Sequence, residues 1–138
     1  MKYTLEQLDG RLMKVQATEC SPLFFGIGPK FIIESMKGNF RNTVVIVTGC
    51  SCLYDDTLAS AFAQKGASAF LAWDDSVVLD YVDKATISLV KNLLSDKLTL
   101  KKAVDATMAT NGPDQTYHAF LRYFPTQSGD KTLRQLIQ

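Results

Sequence analysis

The sequence predicts an α/β domain: a three-layer sandwich around a mostly parallel sheet. Three observations carry this. A short continuous run of largely β-branched residues, Thr43-Val-Val-Ile-Val-Thr48, has the character of a strand buried on both faces of a parallel sheet. A second apolar run, Ala67-Ser-Ala-Phe-Leu-Ala-Trp73, follows one helix-length later, and a strand–helix–strand unit of that spacing is parallel and right-handed. Beyond Trp73, apolar residues recur at Val78, Val82, Ala85, Leu89 and Leu93, the period of a helix with one face on a core.

Taken in chain order, residues 11–19 alternate in part and predict a strand with one wetter face. Cys20-Ser21-Pro22 and Gly26-Ile27-Gly28 are loop signals. Pro29 suits the first turn of a helix whose apolar face is Phe31, Ile32, Ile33 and Met36, and Gly38-Asn39 stops it. The 43–49 strand then delivers Cys50. Asp55, Asp56 or Thr57 caps the next helix, Leu58, Ala59, Phe62 and Ala63 form its inner stripe, and Lys65-Gly66 closes it.

Asp74-Asp75-Ser76 begins the long helix, with Leu79, Ile87, Val90 and Leu94 widening its apolar face. Thr99 caps a further helix with Leu100, Ala103, Val104, Thr107 and Met108 inward, ending at Asn111-Gly-Pro-Asp114. Tyr117–Phe124 alternates with an aromatic bias and predicts an edge strand. Gln127–Asp130 is a turn, and the tail to Gln138 forms a short helix or a frayed strand. There is no internal repeat, low-complexity tract or linker, so residues 1–138 read as a single domain.

The composition is 46% hydrophobic and 21% charged, ordinary for a soluble chain, and the formal net charge is +1. That balance shows no footprint for nucleic acid or an anionic membrane surface. Met1-Lys-Tyr-Thr-Leu-Glu-Gln7 has no apolar run of signal-peptide length, and no stretch approaches a membrane span. Three cysteines, an odd count, point to reduced thiols and a cytoplasmic setting. Gly26-Ile27-Gly28 lacks the third glycine and the preceding strand of a dinucleotide fingerprint, and no cofactor is expected.

The candidate site is Cys50. A strand that ends in Thr48-Gly49 places this thiol beside a helix N-terminus, where free N–H groups favour a thiolate. The plain alternative is a small buried hydrophobe. Cys52 reads as structural. Asp74 and Asp75 are either pocket acids or helix caps. Asp55, Asp56, Asp74 and Asp75 all fall at the C-terminal ends of neighbouring strands, which leaves a divalent-cation site as a distant alternative. His118 reads as a base, a metal ligand or a half-exposed strand residue, the last being the simplest. Phe24, Phe25, Tyr117, Phe120, Tyr123 and Phe124 read as core and edge packing.

The order of these motifs resembles a known family. Val44–Cys50, Leu58–Phe62, Lys65-Gly-Ala-Ser-Ala-Phe-Leu-Ala-Trp73-Asp-Asp75 and Leu98-Thr-Leu-Lys-Lys-Ala103 are similar to the C-terminal half of caspase-like cysteine peptidases, nearest the CHAT and gingipain-like branch, over residues 29–125. The resemblance implies Cys50 as the nucleophile position, with Cys52 in the loop after it. It places Trp73, Asp74 and Asp75 beside the substrate side-chain pocket, where an acidic pair suits Lys or Arg. The family's base is a histidine, usually followed by glycine, on the strand before the cysteine strand. The only histidine here is His118, far downstream, so the His-bearing N-terminal strands are absent.

The resemblance therefore implies a peptidase-like module that is not proteolytic on its own: a binding or scaffold pseudoenzyme, or half of an enzyme. The alternative is an active cysteine endopeptidase, with Cys50 as nucleophile and a base from another chain, cleaving after basic residues. Either way the outer flank of the 43–49 strand needs cover, from residues 11–19, from a second copy in a homodimer, or from a second protein chain.

Overall fold

The computed structural model describes residues 3–16 and 18–138, and its strands fall into two small sheets. The first sheet is a hairpin of β1 (Leu12–Val15) and β2 (Phe24–Ile27), antiparallel, with Leu12 opposite Ile27 and Val15 opposite Phe24. The second is β3 (Val44–Ile46), β4 (Ala69–Trp73) and β5 (Leu121–Phe124), with β4 in the centre. Helices α1 (Thr4–Leu8), α2 (Pro29–Glu34), α3 (Thr57–Gln64), α4 (Leu79–Leu94), α5 (Leu100–Asn111) and α6 (Leu133–Leu136) complete the chain, with a 3₁₀ turn at Thr126–Ser128. The molecule is thus a mixed α/β domain. Among the described residues no helix is long and apolar enough to cross a membrane.

β3 and β4 are parallel, as the strand–helix–strand spacing predicts, and Val44 pairs with Ala69. β5 is antiparallel to β4, so this sheet is mixed rather than mostly parallel. The cause is the number of helices between them. One helix, α3, carries the chain back to start a parallel strand. Two, α4 and α5, packed on each other, carry it out and back, so β5 must run the other way.

All five residues of β4 are buried, and the pleat divides them. Ala69, Leu71 and Trp73 join Val82, Ala85, Leu89 and Leu93 of α4 and Leu100, Ala103 and Val104 of α5 in the main core. Phe70 and Ala72 face the other way, onto Ala59 of α3 and Leu53, with Leu58, Phe62 and Phe124 around them. Trp73 anchors the main core and meets Tyr81 edge-on at 5.3 Å between ring centres. Burying an aromatic side chain of this size contributes on the order of 2–3 kcal/mol. The close of α3 follows the local signal: Lys65 is its C-cap and Gly66 takes φ 98°, a conformation that needs glycine.

Four expectations are corrected. The strand expected over 11–19 is only four residues long (Ala17 lies outside the described residues), and β2 forms where a loop was expected. The intervening turn closes on itself: the Thr18 N–H donates to Ser21 Oγ at 2.8 Å and the Gln16 side-chain amide to the Ser21 carbonyl at 2.6 Å. Local pairing therefore wins, and β1 does not cover β3. Second, β3 is an edge strand with half-buried side chains, not a strand sealed on both sides. Third, α4 starts at Leu79, five residues after Asp74, so neither aspartate caps it. Fourth, β5 starts at Leu121, and His118 sits before it in a turn with φ 58°.

Candidate functional site

β3 ends where its polar successors turn away from β4. The Val47 N–H still bonds the Leu71 carbonyl at 2.9 Å, and then Thr48-Gly49-Cys50 leaves the sheet. The loop is pinned across the end of β4 by two bonds of 2.9 Å each, Ser51 N–H to the Asp75 carbonyl and Leu53 N–H to the Trp73 carbonyl. Ser51 sits at φ 53° to make the turn. A Cβ on Gly49 would lie 3.3 Å from Cys52 Sγ, so glycine there lets the Cys52 thiol fold back toward the Cys50 carbonyl, to which it donates at 3.4 Å.

Cys50 is exposed at the end of this loop. Its sulfur accepts the Val77 N–H at 3.4 Å and lies 3.7 Å from the Val77 carbonyl, so both of its partners are main-chain atoms. Cys52 is half-buried, and burial, helped by the neighbouring Cys50, pushes its thiol above the ordinary value of 9.0. Of the two thiols, Cys50 is the accessible one. The third, Cys20, is exposed in the hairpin turn.

A cleft of about 650 Å³ opens at this end of the sheet. Leu53, Tyr54 and Asp56 line one wall, Tyr117, His118 and Arg122 the other, and Asp74 and Asp75 lie between them at the end of β4. Asp74 is spoken for. Its Oδ1 accepts the Phe120 N–H at 2.7 Å and its Oδ2 the Arg122 Nε at 2.7 Å, which ties β4 to β5 and neutralises the charge. Asp75 is exposed, and its carboxylate accepts the N–H of its neighbour Ser76 at 2.6 Å. Asp55 stands beside the cleft, where the hydroxyl and N–H of Thr57 hold its carboxyl below the usual 3.8.

The wall that carries His118 is built around Asp114. Asp114 is buried, with 1% of its surface exposed. Its Oδ1 accepts the N–H groups of Thr116 and Tyr117 at 2.9 and 2.7 Å, and its Oδ2 that of Val78, the N-cap of α4, at 3.1 Å. Burial opposes its ionisation, but these three N–H bonds, with the charge of His118 nearby, hold its carboxyl below 3.8. The His118 N–H closes the turn on the Asp114 carbonyl at 2.8 Å.

The structure brings Asp74, Asp75 and His118 into one cleft with the Cys50 loop on its border. It places Trp73 in the core, 1% exposed, rather than on that cleft. No hydrogen bond joins His118 to Cys50 among the described residues. The two leave the sheet on opposite sides of β4, Cys50 after β3 and His118 before β5. The four aspartates do not gather: among the described residues no group of three or more His, Cys, Asp or Glu side chains is placed to hold a metal ion. Tyr54, Tyr117, Arg122 and Asp114 escaped the sequence reading as site residues. Only Asp114 carries a signal, an aspartate two residues before a turn N–H after Gly-Pro. Comparison with known protein families, curated proteins and solved structures finds no match.

Proposed function

We propose that this chain is a caspase-like, CHAT-like module in a three-layer arrangement, whose Cys50 site does not cleave peptides by itself and which acts as a binding or scaffold domain or as half of an enzyme. The observation that carries the reading is the setting of Cys50: an exposed thiol at the end of a parallel strand whose hydrogen-bond partners are both atoms of the Val77 main chain. A thiol nucleophile in acyl transfer needs a base to take its proton and to protonate the leaving amine, a contribution of roughly 10²–10⁴ in rate. Nothing bonded to Cys50 performs that task. The open side of β3 supports the same reading. Its partner on one side is β4, and Val44 to Val47, all apolar, bring neither charge nor proline to the other side. A second copy or a second chain pairing there would complete the sheet.

The test is hydrolysis of Arg- and Lys-containing reporter peptides by the chain alone. No turnover above that of Cys50→Ala is expected. A second reading has its own observation: among the described residues Asp56 and Asp75 border the cleft without an ion-pair partner, as a site that holds a basic side chain requires. In that reading a second chain supplies the base, and the module is an endopeptidase cleaving after basic residues. Cys50-dependent turnover that appears only on adding that chain selects it; turnover by the isolated chain overturns the first proposal.

A further inference from the structure

The C-terminal helix α6 and the end of α4 enclose a groove of about 360 Å³ on the side of the molecule formed by these helices. Leu93 and Leu133 line it from the core side, and Leu94 and Ile137 rise at its rims, 59% and 47% exposed. Its charged lining residues are Lys97 and Arg134, and among the described residues neither belongs to an ion pair. The apolar surface does not stop at the groove. Along α4, Ile87, Val90 and Leu94 follow a 3-4 spacing on a face separate from the buried Val82, Ala85, Leu89 and Leu93. Ile87 is 71% exposed and lies seven residues, about 10 Å, up the helix from Leu94. α4 therefore carries two apolar stripes, and the sheet uses one.

We infer that this second stripe and its groove dock an amphipathic helix of another protein, with acidic residues flanking its apolar face. The shape argues for a helix over a small amphiphile, because the stripe runs well beyond the volume of the groove and repeats at the spacing by which grooves read helical anchors. The charges argue against a second copy. A two-fold axis through the groove would bring the Lys97 and Arg134 pair of one molecule toward the same pair of its mate, with no acid in the groove lining to meet them. An acidic flank is complementary to both cations. This surface lies apart from the Cys50 cleft and does not depend on how that cleft is read.

The probe is a fluorescent Ala-rich peptide helix with Leu at alternating third and fourth positions and Glu on the flanks, titrated with the full chain and read by anisotropy. Saturable binding is expected, weakened about tenfold or more by Leu94→Asp, since truncated or charged anchors at an interface centre dominate affinity. The double variant Lys97→Gln/Arg134→Gln should weaken it comparably and remove most of its salt dependence. Circular dichroism melts of both variants keep loss of binding separate from loss of fold. No binding, equal binding by a probe with Lys in place of Glu, or affinity unchanged in Leu94→Asp overturns the inference. So does dimerisation in light scattering that Leu94→Asp abolishes, or dodecanoate binding in the groove with no binding of the peptide.

Discussion

Phe24 in β2 and Phe70 in β4 are the same side chain in the same kind of element, yet one is 58% exposed and the other 1%. The difference lies in what each strand can lean on. β4 has a strand on either side, α4 and α5 over one face and α3 over the other, so both phases of its pleat find cover. β1 and β2 pair only with each other among the described residues, with the short helices α1 and α2 beside them, and a two-stranded ribbon has no interior. Of the two strands only Leu12 is buried. The hairpin is largely apolar too, but helices do not cover both of its faces as they do those of β4. Apolar content sets what a segment gains from cover; topology decides whether the cover exists.

The sharpest way to break this contrast is to delete an aromatic from each region. Trp73→Ala should cost about 3–5 kcal/mol in chemical denaturation, the range for emptying a large core site, and should leave the chain partly unfolded. A loss below about 1 kcal/mol would mean that the β4 core is not the cooperative centre of the domain.

Next comes Asp114, which joins the main core to the cleft. Its carboxyl is held below 3.8 in the folded chain, so its stabilisation is present above that value and is lost as pH falls through the lower folded value. Asp114→Asn should melt at a lower temperature than the parent near neutral pH, and the gap should narrow as the pH is taken progressively below 3.8. Thermal melts across that range decide it, and a gap independent of pH would remove the charge from the account.

A smaller effect is expected at α6. Thr132 and Gln135 form a capping box, and Thr132→Ala should cost about 1 kcal/mol. That loss would show α6 to be part of the cooperative unit despite its four residues. The smallest effect belongs to the hairpin. Phe24→Ser should change stability by no more than about 0.5 kcal/mol, because the ring already meets solvent. A loss of about 2 kcal/mol or more would show that the hairpin face is covered in solution by another molecule.

The core was legible because its signals are local. Val44–Ile46, α3 and Ala69–Trp73 stand where β-branched runs, a helical stripe and Lys65-Gly66 put them. The failures share a different cause: each depends on a partner distant in sequence. Asp74 looks like a helix cap until Phe120 and Arg122, 46 and 48 residues on, take both of its oxygens. Gly26-Ile27-Gly28 looks like a loop until Leu12–Val15 pairs with Phe24–Ile27. Tyr117–Phe120 keeps the alternation of a strand, yet Asp114 bends it into a turn with His118 at positive φ. At the site, the place of Cys50 followed from the strand that ends before it. The cleft beside it did not, because its far wall comes from a segment about 65 residues later.

The three N–H bonds of Asp114 also bear on how this domain can be rebuilt. Surface loops are commonly exchanged between related scaffolds as cassettes, on the assumption that only their ends must match. Residues 112–120 fail that assumption. Their shape is written partly on the main chain of Val78, 36 residues earlier, which occupies one carboxylate oxygen. A replacement loop without an acid at this position leaves the first N–H of α4 without its acceptor. A graft that includes Asp114 but alters the entry to α4 leaves the loop without its anchor. The cleft wall and the start of the long helix therefore form one exchangeable unit, and recombination within this domain has to cut outside both.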